Sequence, residues 1–212
     1  MRQNAARTRK RRPPRARRYS QKRKAARAKK SSRATRGSRE KLGPVLLLLG
    51  ACTGIPAGVE PVSEFELERY LGRWYEIARL DHRFERGLTA VTAEYSRRDD
   101  GGVRVVNRGY DADAGEWQSA TGKAYFVDAP DTGRLKVSFF GPFYGAYNVI
   151  ALDEDYRWAM VAGPSLDYLW ILARTPALDD AVVSRLVDQA ARLGFATGEL
   201  IFVDHDAPED GP

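Results

Sequence analysis

From Trp74 to Thr175 the apolar residues fall at every second position, in short runs broken by turn residues, and no helical period intervenes. A strand points successive side chains to opposite faces, so this pattern describes strands with one buried and one solvated face. Val91, Ala93 and Tyr95 share a face in "TAVTAEYS", and Val103 and Val105 do so after the turn "RRDDGG". Leu135, Val137 and Phe139 stay in phase beyond the turn at Pro130 to Gly133. "AYNVIAL", "WAMVAG" and "YLWILART" bring the count to eight. Strand-to-strand spacing of about a dozen residues argues a meander of hairpins. Eight such strands close most naturally into an antiparallel up-and-down barrel, because closure removes exposed edges. Periodicity alone leaves a sandwich of similar strand number as the rival.

After the eighth strand the period changes. In "PALDDAVVSRLVDQAARLGF", Val182, Val183, Leu186, Val187 and Ala190 form a helical stripe. Asp179 and Asp180 stand in its first turn, where carboxylates favour the helix dipole, and Gly194 suits its end. One amphipathic helix can cover the barrel's outside, and "ELIFVDH" supplies a short ninth strand.

Charge divides the 212 residues sharply. Residues 1–41 hold 19 of the 35 Lys and Arg residues and one acid, a net +18, and the remainder has 16 basic against 27 acidic residues, a net −11. An acidic body repels phosphate, so a nucleic-acid partner is excluded for the mature domain. The basic segment 1–41 has almost nothing apolar to bury and reads as disordered. It is a long leader n-region or sequence upstream of a later start, with a basic interaction arm as the other reading.

Residues 42–51 are apolar, too short to span a bilayer, and end in small residues before Cys52. "LGAC" resembles the bacterial lipoprotein box, which implies a signal h-region cleaved before a diacylglycerol-modified Cys52. A thiolate is the nucleophile that accepts the lipid, and several chains at one terminus anchor stably. Thr53 stands where an aspartate would imply inner-membrane retention, so the resemblance implies a lipid-anchored outer-membrane protein with its body facing the periplasm. Cys52 is the chain's one cysteine, so no intrachain disulfide forms. Residues 52–63 read as a flexible Gly- and Pro-containing lipidated tether, 64–206 as the barrel domain and 207–212 as a disordered tail.

Two further residues carry a resemblance. "GRW" at Gly72 to Trp74 matches the lipocalin Gly-x-Trp signature, and "ILARTP" places Arg174 at the end of the last barrel strand. In that family the arginine lies across the indole at the barrel's closed end, a contact of roughly 0.5–2 kcal/mol. A second family motif survives loosely as Leu152, Asp153 and Tyr156. "WYEIARLDHRFERGL" and "LKVSFFGPFYGAYNVIALD" are similar to the bacterial lipocalins, outer-membrane lipoproteins related to apolipoprotein D. The resemblance implies an eight-stranded lipocalin barrel with one C-terminal helix and a ninth strand.

It also implies binding of fatty acids or lysophospholipids, for storage or transport in envelope maintenance, with no catalytic residue, metal or cofactor. With Trp74 setting the inward phase, the ligand-binding wall comprises Val91, Ala93, Tyr95, Val105, Leu135, Val137, Phe139, Trp170 and Leu172. Tyr144 and Trp170 combine aromatic area with a polar tip and suit the mouth, where a headgroup stays wet. Glu76 shares Trp74's phase and needs a donor beside it or a proton. His82, in "DHRFERG", reads as an exposed loop histidine; its sharper alternative is a haem ligand in a barrel that binds another hydrophobic molecule or has enzymatic activity. The pattern leaves both a monomer and a homodimer open.

Overall fold

The computed structural model describes residues 53–208. The basic segment 1–41, the apolar stretch 42–51, Cys52 and residues 209–212 lie outside them. One helical turn, α1 (Leu67–Tyr70), leads into eight strands: β1 (Gly72–Arg79), β2 (Leu88–Arg97), β3 (Val103–Asp111), β4 (Glu116–Phe126), β5 (Arg134–Ser138), β6 (Gly145–Leu152), β7 (Trp158–Ala162) and β8 (Leu169–Ala173). α2 (Asp180–Arg192), a 3-10 turn (Thr197–Glu199) and β9 (Ile201–Phe202) follow. Consecutive strands pair antiparallel from β1 to β8, and β8 pairs with β1, which closes the barrel. The sandwich reading is thereby excluded.

The seam between β1 and β2 has two parts. Gly72 to Tyr75 pair with β2, whereas Ala78 and Arg79 pair with β9. Val203 N–H donates to the Ile77 carbonyl at 3.0 Å and Ala90 N–H to Asp204 at 2.7 Å, so the C-terminal strand fills the gap where β1 and β2 diverge. Backbone groups that would otherwise be orphaned are satisfied there.

Register assigns the faces. Trp74 opposes Ala93, which opposes Asn107, then Ala120; Val105 opposes Tyr95 and Gly122; Leu135 opposes Tyr147, and Val149 opposes Val161. These side chains share the lumen. The opposite faces of β1, β6, β7 and β8 present Ala78, Ile150, Met160 and Ile171 outward, where Leu186 and Ala190 of α2 cover them. Asp179 caps α2: its carboxylate accepts from the N–H groups of Ala181 at 2.9 Å and Val182 at 3.3 Å. Asp179 therefore precedes the helix as its cap, and Asp180 is the acid of the first turn.

The segment before α1 departs from the expected loose tether. Pro56 and Val59 are buried, Ile55 packs into the cluster beneath α2, and Val62 exchanges backbone hydrogen bonds with Val149 and Gly133. Its apolar residues find a partly uncovered outer wall, and burying them outweighs the freedom of a Gly- and Pro-containing chain.

Candidate functional site: a barrel sealed at one end and open at the other

The β2–β3, β4–β5 and β6–β7 turns, with α1, lie at the end where β1 begins; the other four loops rim the opposite end. At the closed end Trp74 is fully buried and donates from Nε1 to the Tyr70 carbonyl at 2.8 Å. The Arg174 guanidinium lies 3.9 Å from its ring centroid. Its nitrogens donate to the carbonyls of Leu71 (3.0 Å), Arg73 (2.9 Å), Arg69 (2.6 Å) and Tyr156 (3.2 Å). One cation thus ties the entering segment to β1 and to the β6–β7 turn. Gly72 adopts φ +90°, a conformation costly for residues with a Cβ, and turns the chain from α1 into β1. Asp153 fixes the β6–β7 turn by accepting from the N–H groups of Asp155 and Arg157 and from the Arg157 guanidinium at 2.8 Å.

Above the indole three tyrosine hydroxyls meet. Tyr147 lies 2.7 Å from Tyr70 and 2.9 Å from Tyr95, oxygen to oxygen. Burial raises all three phenol pKa values, so the trio stays neutral and its hydroxyls satisfy one another. Val103, Val105, Leu135, Val149 and Leu172 complete this dry floor.

Higher up, inward-facing side chains are within reach of solvent. Ala93, Asn107, Val137, Phe139 and Trp170 are half-buried and Ala120 is exposed. Ala120 and Gly122 face inward on β4; a Cβ on Gly122 would stand 2.8 Å from the Ser138 carbonyl oxygen and 2.9 Å from the Phe139 ring, so the glycine lets that ring lie against the strand. Of the residues expected to line a ligand, Ala93, Val137, Phe139 and Trp170 are the half-buried ones. Tyr95, Val105, Leu135 and Leu172 belong to the packed floor, and Val91 is buried near Gly109. Tyr144 is a correction: its ring packs against the Lys136 ammonium (5.1 Å) and Tyr125 (6.4 Å) on the outer wall, because both neighbours lie in the outward phase of their strands.

The open end holds a polar cluster that the alternating pattern conceals. Glu76 opposes Leu172, but a bulge at Ile77 makes Ala78 oppose Ile171 and Arg79 oppose Trp170. The extra residue shifts the phase, so Glu76 and Arg79 both face inward, three residues apart. Arg79 Nη1 donates to Glu76 Oε1 at 2.6 Å, and Nη2 donates to the carbonyls of Glu85 (2.9 Å) and Leu88 (3.1 Å). Trp170 Nε1 donates to Glu85 Oε2 at 3.1 Å. All four residues Glu76, Arg79, His82 and Glu85 are buried.

Desolvation and the neighbouring Glu85 raise the Glu76 pKa to about 8; desolvation raises that of Glu85 too. One arginine facing two buried carboxylates retains a proton between them. His82 is not exposed. The Phe84 ring stacks on it at 4.0 Å and Trp170 lies 4.9 Å away, so the loop folds over its own histidine. Desolvation lowers its pKa to about 4, which makes it neutral. Its Nε2 lies 3.2 Å from Glu85 Oε2, but the angle is poor and both ring nitrogens lack a hydrogen-bond partner. Among the described residues no group of three or more His, Cys, Asp or Glu could hold a metal ion, and no helix is long and apolar enough to cross a membrane.

Residues 65–205 match the lipocalin-like domain. The chain is 55% identical over 158 residues to the outer membrane lipoprotein Blc of Vibrio cholerae, covering 74% of this chain and 92% of that protein. To the outer membrane lipoprotein Blc of Escherichia coli K12 it is 60% identical over 148 residues, or 70% of this chain and 84% of the relative. Apolipoprotein D of Bos taurus is 34% identical, with 68% and 86% covered. Insecticyanin from the tobacco hornworm superposes with a TM-score of 0.57 at 22% identity, over 71% of this chain and 86% of that one, a likeness of fold. Closed barrel, flanking helix and sequence similarity agree: the chain belongs to the lipocalin family.

Proposed function

We propose that this protein is a membrane-anchored carrier or store for single-chain lipids, fatty acids or lysophospholipids, in the bacterial cell envelope. The observation that carries the reading is a closed barrel whose inward face combines a buried floor with apolar residues that solvent still reaches, Ala93, Val137, Phe139 and Trp170. A hydrocarbon tail gains about 0.8 kcal/mol per buried CH₂, against ordering and association costs. Its polar end stays at the rim, where water and the Trp170 indole remain available. Binding rather than catalysis suits the site: Glu76 and Glu85 face an arginine and an indole, and the His82 imidazole beside Glu85 is buried beneath Phe84 and Trp170. The named lipoprotein relatives support an outer-membrane location, and lipidation of Cys52, with the body facing the periplasm, provides the attachment.

Organic extraction of the full-length protein from its native membrane, followed by mass spectrometry, tests the ligand class. Acyl lipids enriched over the surrounding membrane in a one-to-one ratio are expected. A coloured extract containing haem, or lipid in bulk proportions only, would overturn the reading. Equal loading rates for lipidated and Cys52→Ser protein at vesicles would remove the role given to the anchor, since tethering acts by raising local concentration.

A further inference from the structure

The β5–β6 loop ends in two large aromatic side chains that nothing covers: Phe140 is 80% exposed and Phe143 73%. Both lie at the open end. From Val137 to Leu152 the hairpin contains no charged residue, although residues 42–212 carry a net −11. Across the mouth, four strands away around the barrel, Phe84 is 59% exposed beside the exposed Arg83. Exposed apolar clusters of this kind mark contact surfaces.

The same hairpin receives the start of the described chain. Arg134 of β5 donates to the Thr53 carbonyl at 3.4 Å, and Asn148 of β6 donates to the Gly54 carbonyl at 3.3 Å. Cys52 is therefore one residue from a backbone held on the β5–β6 wall. Phe140 is the sixth residue after Arg134, at most about 20 Å of extended chain away. A lipid anchor at Cys52 brings the bilayer to the β5–β6 side of the barrel, where Arg134 also pairs with Asp128 of the closed-end turn at 2.7 Å, and the uncharged aromatic tip marks which end of that side enters it.

We infer that the β5–β6 loop is a second membrane contact, which inserts Phe140 and Phe143 into the bilayer interface while Phe84 and Arg83 meet it across the mouth. This rests on the anchored-carrier reading and gives it an orientation: the mouth is turned toward the lipid, so a single-chain lipid passes from bilayer to lumen beneath the rim. Aromatic side chains suit the interface because their area is apolar and their entropy cost is small.

Spin labels at F140C and F143C, in full-chain lipidated protein reconstituted into phosphatidylcholine vesicles, test the contact, with D99C in the exposed closed-end β2–β3 turn as reference. Acylated Cys52 carries no thiol to label. Protection from an aqueous nickel relaxant with access to oxygen is expected at 140 and 143, at a depth of about 5–10 Å, while 99 stays in water. Labels at 140 and 143 as accessible to nickel as the one at 99 would overturn the contact alone. Labels at 143 that lie close to each other in detergent would also overturn it, since a second copy would then cover the tip. The mass of the peptide beginning at Cys52 scores the anchor separately; an unmodified cysteine overturns both. In F140S/F143S, loading from vesicles should slow several-fold while affinity for lipid supplied in detergent is unchanged, and an unaltered vesicle rate contradicts the inference.

Discussion

Each end of this barrel is organised by one arginine, and the two work under different conditions. Arg174 faces backbone carbonyls and an indole, groups with no proton to gain or lose near neutral pH. Arg79 faces the Glu76 carboxylate and two carbonyls, with Glu85 beside it. Both guanidiniums use a planar fork of donors to join segments distant in sequence. The closed end is a seal insensitive to pH, whereas the open end is held by groups that titrate. The proposed carrier role calls for a floor always shut and a rim able to loosen.

The largest expected effect is at the floor. Trp74→Ala should destabilise the protein by about 3–5 kcal/mol, as large aromatic-to-alanine core changes do, read as a lower urea midpoint. A loss below about 1 kcal/mol would mean that the indole does not seal the barrel. Arg174→Met should cost about 2–3 kcal/mol, less because water can reach some of the carbonyls, and the loss should be equal at pH 6 and pH 8. A loss that changes with pH would break the contrast between the ends.

The open end should show the opposite behaviour. Glu76 has a folded pKa of about 8 against an ordinary 4.5, so the folded state holds an extra proton between these values. Stability therefore falls as pH rises through that window. His82 acts with the opposite sign between its folded value of about 4 and the ordinary 6.5, where the unfolded chain holds the extra proton. The two oppose each other below pH 6.5; above it the raised Glu76 and Glu85 values remain, so stability falls as pH rises toward 8. Glu76→Gln should flatten this limb of the urea-midpoint profile; an unchanged slope would remove Glu76 as its source.

Smaller effects sharpen the boundary. Asp153→Ala removes the acceptor for two N–H groups in the closed-end turn and should cost about 1–2 kcal/mol without altering lipid affinity. Asp179→Ala at the α2 cap should cost about 1 kcal/mol and leave both ends unaffected. Weaker lipid binding by isothermal titration in either variant would show that the ends are coupled.

The strands were legible because strict alternation has one structural meaning, and their closure into a barrel because Trp74 and Arg174 stand in a motif whose chemistry is local to one end. The open end was far less so. Alternation from Trp74 carries Glu76 inward but would send Arg79 outward; a bulge at Ile77, which no turn residue announces, reverses that. The pairing of Glu76 with Arg79 at three residues' spacing is a signal only once the bulge is known. His82 and Glu85 look like solvated loop residues, and their burial follows from Phe84 and Trp170 closing over them. Tyr144 was misplaced because a loop has no phase to read. Ile55, Pro56 and Val59 are too few to mark a packed segment until the wall they cover is known.

The account stands on inward-facing apolar residues that solvent reaches, and the most direct measurement is to fill the space beside one of them. Ala93→Trp places an indole on the inward face of β2, at a half-buried position that solvent now reaches. In a fluorescence titration with a single-chain fatty acid, affinity should fall at least about tenfold, or 1.4 kcal/mol, with the urea midpoint unchanged. Undiminished affinity in a fully folded Ala93→Trp protein would contradict the claim that lipid occupies the lumen beside this position.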